Sequence, residues 1–205
     1  MTITVDDYLP VRTMNDGKKE TIFAAVGNEY PLWVSLLEKA FAKRYGNYEH
    51  LNIGGISSEA VRTLTGAPYE WFPHKDIDVD TLWDLLSKHD FEKDFIQVGT
   101  DGDGDDTVFN KVGLAKSHAY TVMDVHKLSK SGTRLVKVRN PWGAENFHGA
   151  WGDDSPKWDR QSKKEVGFNK ANDGVFWIDI ESYKENFGDT SINYNVDDWS
   201  SAKFM

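Results

Sequence analysis

The sequence predicts an α+β protein, with helices gathered in the first third and antiparallel strands in the rest. Two observations lead there. Apolar residues recur at i, i+3 and i+4 as far as about Lys88, and beyond it they alternate with polar ones. The 205 residues also include 8 Trp, 8 Tyr and 11 Phe, with 39% hydrophobic and 28% charged overall. That balance belongs to a chain that folds around a core.

The elements follow in order. Ile3-Thr4-Val5 alternates and predicts a short strand before the Asp6–Pro10 turn. Pro31 opens a helix that runs to about Tyr45 and stops at Gly46. Its stripe, Trp33, Leu36, Leu37, Ala40 and Phe41, is expected in the core. Ser57 and Ser58 cap a second, short helix through Val61 and Leu64, closed by Gly66-Ala67-Pro68. This punctuation divides the chain into a helical segment, 1–66, and a strand-rich segment, 67–205. A third helix runs from Asp78 or Asp80 to Lys88. Strands are predicted at Phe95–Val98, Ser117–Val125, Thr133–Arg139 and Gly174–Ile180. A helix over Glu181–Phe187 and an alternating stretch at Ser191–Val196 end the pattern. Trp71, Trp83, Trp151, Trp158 and Trp177 read as packing residues, and Lys163-Lys164-Glu165 as a surface charge run.

Composition excludes several functions. Lys plus Arg is 24 and Asp plus Glu is 33, a formal net charge of −9. An acidic surface repels phosphate backbones and counts against nucleic-acid binding. With no cysteine there is no disulfide, no thiolate metal site and no thiol nucleophile on this chain. No apolar run approaches the roughly 20 residues that span a bilayer. Met1–Asp7 lacks the basic and apolar parts of a secretory signal, so a cytoplasmic, intracellular protein is expected. His50, His74, His89, His126 and His148 lack metal-ligand spacing and are assigned no role. Asp101, Asp103 and Asp105 have the spacing of an EF-hand loop. However, Asp106 stands where glycine is needed and Val112 where glutamate is, so the stretch reads as a solvated acidic loop.

The chemistry lies on two predicted strands. Ser117-His118-Ala119-Tyr120-Thr121-Val122 and Val138-Arg139-Asn140-Pro141-Trp142-Gly143 flank the polar turn Lys127–Gly132. Strands joined by such a turn pair antiparallel, with opposed residue numbers summing to a constant. His118 and Asn140 have their midpoint at Ser129, inside the turn, so the pattern places an imidazole beside a carboxamide. An amide oxygen accepting from one imidazole nitrogen fixes the tautomer and frees the other nitrogen to activate a thiol. Trp142 is positioned to cover that hydrogen bond, and Pro141 stiffens the turn.

These residues resemble the calpain family of papain-like cysteine proteases. The family's Gly-His-Ala-Tyr-Ser-Val is met by Ser117–Val122, and its Arg-Asn-Pro-Trp-Gly by Arg139–Gly143. Its Gly-Ala-Trp-Ser-Asp is met by Gly149–Asp153, and Asp-Gly-Glu-Phe-Trp by Asp173–Trp177. Val5–Pro10, Leu36–Lys43, Tyr48-Glu49, Gly54-Gly55 and Thr65-Gly66 also follow the family's order. The resemblance implies a papain-like catalytic core. Residues 1–66 would be the later, helical part of its first lobe, and 67–205 its complete sheet-based second lobe. It further implies that His118 is the general base, Asn140 its orienter and Trp142 their shield. The family's nucleophilic cysteine and oxyanion-hole glutamine would precede the first matched residue.

The family also binds calcium in each lobe. The resemblance places second-lobe ligands at Asp153, Asp173 and the Ala171 carbonyl, with Asn146 and Val175 where carboxylates are expected. In the first lobe it reaches only Glu38. Calcium takes about six to eight oxygens, so losing two carboxylates weakens or abolishes the site. Two functions are expected from this set. One is the His/Asn half of a calpain-like endopeptidase, inactive by itself, whose cysteine lies either on a longer form of the same protease or on another chain that supplies the missing part of the first lobe. The other is a calpain-like pseudoprotease that binds a protein or peptide within an assembly.

Overall fold

The alternation beyond Lys88 becomes a six-stranded antiparallel sheet. A computed structural model describes residues 2–24, 32–102 and 106–195. The chain divides into two compact units, Met1–Ile56 and Ser57–Met205. The division falls before the Gly66–Pro68 punctuation, because the helix starting at Ser57 packs with the sheet.

In the first unit, β1 (Val11–Thr13) and β2 (Lys19–Thr21) form an antiparallel hairpin. Helix α1 (Trp33–Tyr45) ends on Lys43 and Arg44, cations suited to the negative end of a helix, and on Gly46 at φ 116°. Its expected first residue, Pro31, lies outside the described residues. Helix α2 (Tyr48–Asn52) is capped by Asn47, whose side chain accepts from the His50 N–H at 2.9 Å. Tyr48 also stacks on Phe23 at 4.1 Å.

Two expectations fail here. Ile3–Val5 is not a strand. Lysine side chains from α1 satisfy this stretch instead, Lys43 donating to Thr4 O at 2.7 Å and Lys39 to Asp6. The stripe on α1 is not fully buried either. Trp33 is exposed and Leu36, Leu37, Ala40 and Phe41 are half-buried, while Ser35 and Ala42 are buried. A two-stranded hairpin and one short helix give this unit little apolar surface with which to cover a stripe.

The second unit begins with α3 (Ser57–Thr65), β3 (Tyr69–Pro73), α4 (Val79–Ser87), β4 (Phe95–Gly99) and β5 (Ala119–Lys127). It continues with β6 (Arg134–Arg139), α5 (Arg160–Glu165), β7 (Val175–Asp179), α6 (Ile180–Asn186) and β8 (Asp189–Asn193). The sheet order is β3-β8-β4-β5-β6-β7, antiparallel throughout. On one face Leu82 and Leu86 of α4 and Ile180 and Tyr183 of α6 bury Ile96, Val98, Val122, Val138, Phe176 and Ile192. On the other, Leu128, Leu135, Trp151, Trp158 and Trp177 form a second cluster. Each such side chain contributes about 1.5–3 kcal/mol through burial. Helix α3 joins through Asn193, whose amide donates to Ser58 O at 3.1 Å and Ala67 O at 3.3 Å.

Of the tryptophans expected to pack, Trp71 is exposed, because it lies on the edge strand β3. Strand β3 and helix α5 have no apolar alternation or stripe to reveal them. Lys163–Glu165 is the last turn of α5, which starts with a reciprocal cap: Asp159 accepts from the Ser162 N–H at 2.7 Å, and the Ser162 hydroxyl accepts from the Asp159 N–H at 3.0 Å.

His74 lies in a single 3-10 turn after β3 and is buried. Its Nδ1 faces Phe187 O at 2.8 Å and must donate, so Nε2 accepts from the Thr190 hydroxyl, also at 2.8 Å. Burial pushes its pKa from 6.5 down to about 4. The unfolded chain therefore takes up this proton first as pH falls. Stability present at pH 7 is lost between about pH 6.5 and pH 4, by up to about 3 kcal/mol. The urea midpoint should drop from pH 7 to pH 4.5 in the wild-type chain and drop less in His74→Gln. Equal drops would show that another group sets the dependence.

Candidate active site

His118 immediately precedes β5, and its backbone is clamped to Thr100, just past β4. Thr100 N–H donates to His118 O at 3.0 Å, and His118 N–H donates to the Thr100 hydroxyl oxygen at 3.0 Å. Ser117 before it has φ 48°, the only non-glycine in the left-handed region among the described residues. That conformation costs a residue with a Cβ about 1–2 kcal/mol and explains a glycine in the family motif. Here the serine hydroxyl donates to Gly102 O at 2.7 Å.

Asn140 follows β6 and is 3% exposed. Thr121 pairs with Arg139 and Val122 with Val138. Past a bulge at Met123, pairing resumes at Asp124 with Lys137 and runs to Lys127 with Arg134. The turn is centred later than Ser129, because Lys127 still belongs to the ladder. Tyr120, not His118, would fall opposite Asn140, and the imidazole reaches the carboxamide diagonally.

The expected pair is nevertheless made, with His118 Nε2 3.0 Å from Asn140 Oδ1. The Trp142 N–H donates to the same oxygen at 3.1 Å, which fixes the amide orientation. Nε2 therefore carries the proton, and Nδ1 faces away from Asn140. The Trp142 ring lies 4.3 Å from the imidazole at 40°, and Tyr120 meets it edge-on at 4.9 Å. Trp142 is itself 44% exposed, so it covers one side of the pair and shows its other side to solvent. The Asn140 N–H donates to Gly174 O at 2.8 Å. Gly174 has φ 83°, and a Cβ there would come within 2.7 Å of Asn140 O, so only glycine fits. Nδ1 of His118 faces Asp106 Oδ2 at 3.6 Å.

The structure brings together His118, Asn140 and Trp142, which the sequence singled out, and sets beside them Thr100, Tyr120 and Gly174, which it did not, and Asp106, which it read only as part of a solvated acidic loop. Only Gly174 carries a local signal, as the second residue of Asp-Gly.

The expected calcium ligands are placed differently. Glu38 accepts from the Ala24 N–H at 2.9 Å and anchors backbone. Asp173 accepts from the Val175 N–H at 2.9 Å, and Ala171 O accepts from the Asp173 N–H at 2.8 Å. Burial, and then the Asp173 charge, raise the pKa of Asp153. Asn146 is exposed, and the Val175 side chain has no oxygen to give. Glu145, which sequence reasoning passed over, is pushed up to about 7 by burial and then by the charges of Asp153, Asp173 and Asp154. With Asp153, Lys157 and Lys170 it lines an open groove of about 750 Å³ that includes neither His118 nor Asn140. Among the described residues no three acidic or histidine side chains form a group able to hold a metal ion. These donors, already turned to backbone N–H groups, do not fit calcium.

The α+β arrangement accords with the family that comparison to known proteins identifies. The sequence model of the calpain family cysteine proteases matches residues 1–194. The chain is 33% identical over 199 residues to "Calpain-9" of Rattus norvegicus, covering 94% of this chain and 28% of that protein. It is 32% identical over 195 residues to "Calpain-type cysteine protease DEK1" of Zea mays, covering 91% and 9%. It is 33% identical over 192 residues to "Calpain-1 catalytic subunit" of Macaca fascicularis, covering 90% and 26%. This chain belongs to the calpain family of cysteine proteases. It spans little more than a quarter of the length of these relatives at most. It carries no cysteine, and among the described residues no helix is long and apolar enough to cross a membrane.

Two outcomes follow from this geometry. At position 117, glycine should give a protein about 1 kcal/mol more stable than alanine, because only alanine keeps the strain. Urea denaturation of Ser117→Gly and Ser117→Ala checks this, and equal midpoints would refute it. The second concerns Glu145, whose raised pKa means that the folded state holds a proton the unfolded chain has released. Its cost grows as pH rises from about 4.5 through 7. Glu145→Gln should therefore melt higher than wild type at pH 8, with the gain shrinking toward pH 5. A gain independent of pH would sink this account.

Proposed function

We propose that this chain supplies the general-base half of a calpain-type cysteine endopeptidase site and is catalytically silent by itself. The observation that supports this most is the 3.0 Å contact from His118 Nε2 to Asn140 Oδ1, flanked by Trp142. Asn140 holds the ring so that Nδ1 is the free base. Nδ1 would take a thiol proton as the thiolate attacks a peptide carbonyl, then return it to the leaving amine. Trp142 limits water's access to the orienting hydrogen bond. The thiol must come from outside these 205 residues, since none is a cysteine, and without a nucleophile the orienter and base have nothing to activate.

In this reading the sheet unit corresponds to the family's second lobe, and the preceding helices to the later part of its first. Substrates and partners are proteins or peptides, and the setting is intracellular. Calcium takes no part through the Glu145–Asp173 loops. The second reading, a pseudoprotease serving as an interaction module, draws on the missing thiol and the committed calcium donors.

The test is complementation. The purified chain is mixed with a polypeptide carrying the cysteine-bearing first-lobe segment of a calpain, and cleavage of a fluorogenic peptide is followed. The chain alone should be inert, the mixture active, and His118→Ala should abolish that activity. A mixture that binds the two pieces together but cleaves nothing would establish the pseudoprotease instead. Melting curves in calcium and in EDTA should coincide, and a calcium-dependent rise would overturn the reading of the acidic loops.

A further inference from the structure

We infer that helix α1 is an interface for a second copy of this chain, the two helices lying antiparallel about a two-fold axis at the level of the Glu38–Lys39 peptide bond. The inference stands apart from the protease reading and uses none of its residues.

Helix α1 is built into its own unit by its polar side. At about 100° per residue, Ser35, Glu38 and Ala42 share one side of the helix, and Trp33, Leu36, Leu37, Ala40 and Phe41 share the opposite one. A surface helix ordinarily turns its apolar stripe to the core. Here Ser35 and Ala42 are the buried residues. The contacts on that side are hydrogen bonds: the Ser35 hydroxyl donates to Ala24 O at 3.3 Å, and Glu38 accepts the Ala24 N–H at 2.9 Å. Lys39 and Lys43, next to them, donate to Asp6 and to Thr4 O. The stripe is left on the outside. Trp33 is 60% exposed, and Leu36, Leu37, Ala40 and Phe41 keep part of their surface in water. A contiguous apolar strip in water marks an interaction surface.

The stripe is its own complement. The two-fold axis sets Trp33 against Arg44 of the second copy, Leu36 against Phe41 of the second copy, and Leu37 against Ala40 of the second copy. Each pairing is one that packed helices favour. The small Ala40 makes room for Leu37 and lets the axes approach, and Leu36 and Phe41 close over the sides. The Trp33 indole receives a guanidinium on its face. Arg44 is exposed and already lies over an aromatic ring, that of Tyr45 at 5.6 Å, at the C-terminal end of the stripe. A two-fold contact uses the same patch on both copies, which requires the patch to match itself when reversed. An unrelated partner would not require that match.

Trp33 and Arg44 are both exposed, so they can be replaced without opening the unit, and a chain without cysteine lets a single thiol be placed at either position. Sedimentation equilibrium from micromolar to submillimolar wild-type chain should show a monomer–dimer equilibrium. Trp33→Lys loses the ring and faces a like charge, so it should weaken the dimer roughly tenfold or more. Adding Arg44→Glu to Trp33→Lys should restore association. Trp33→Cys and Arg44→Cys, mixed and oxidised, should cross-link to each other faster than either does to itself, with circular dichroism confirming that each is folded. A wild type that stays monomeric over that range would overturn the inference, as would disulfides that join like positions. A monomer whose Trp33→Cys thiol is shielded from iodoacetamide only when the first-lobe segment of the complementation assay is added would also overturn it, and would assign the stripe to that segment.

Discussion

The pairing of β5 with β6 is the constraint from which the site follows. Both strands lie inside the sheet; β5 buries Tyr120 and Val122 and leaves Thr121 and Met123 exposed, and β6 sends Val136 and Val138 to one buried cluster and Leu135 to the other, so slipping the register by one residue would turn each apolar set to the wrong face. With the register held, antiparallel strands bring the start of one to the end of the next. Thr100 follows β4, His118 precedes β5, Asn140 follows β6 and Gly174 precedes β7. Four neighbouring strands thus place one residue each at the same end of the sheet. The His118 backbone is clamped from one side by Thr100, and the Asn140 N–H is held from the other by the Gly174 carbonyl.

This arrangement separates holding a histidine from using it. Asn140 is nearly inaccessible and makes hydrogen bonds through backbone and side chain, so the orienting bond is insulated from water. Nδ1 faces a carboxylate from a mainly acidic loop. The protein's excess of negative charge gathers again at Glu145, Asp153 and Asp173, where burial and mutual repulsion raise the pKa of Glu145 and Asp153. The Val175 N–H donating to Asp173 and Lys170 paired with Asp154 moderate that repulsion.

The alternation of Phe95–Gly99, Arg134–Arg139 and Val175–Asp179 was legible because each strand has a side that must be buried. Helix α4 was legible through its Asp78 cap and its Leu82–Leu86 spacing. Strands β1, β2 and β3 were not, because exposed or edge strands need no apolar alternation. The proximity of His118 and Asn140 was legible from the turn between them, though the ladder is displaced from the simple midpoint. The resemblance to calpains supplied their proposed roles.

What the sequence by itself determined was the α+β class, the absence of a thiol and the juxtaposition of one imidazole with one carboxamide. These depend on residue identity and on local periodicity, which need no knowledge of distant partners. Only the tertiary structure decided that Thr100 and Gly174 support the pair, that Ser117 is strained, that Asp106 faces Nδ1 and that Glu145 rather than Asn146 joins the acidic loops. Each of these is a contact between segments remote along the chain or a backbone angle set by them. Such facts arise from how closely folded strands and loops approach one another, and no spacing within a single segment encodes that.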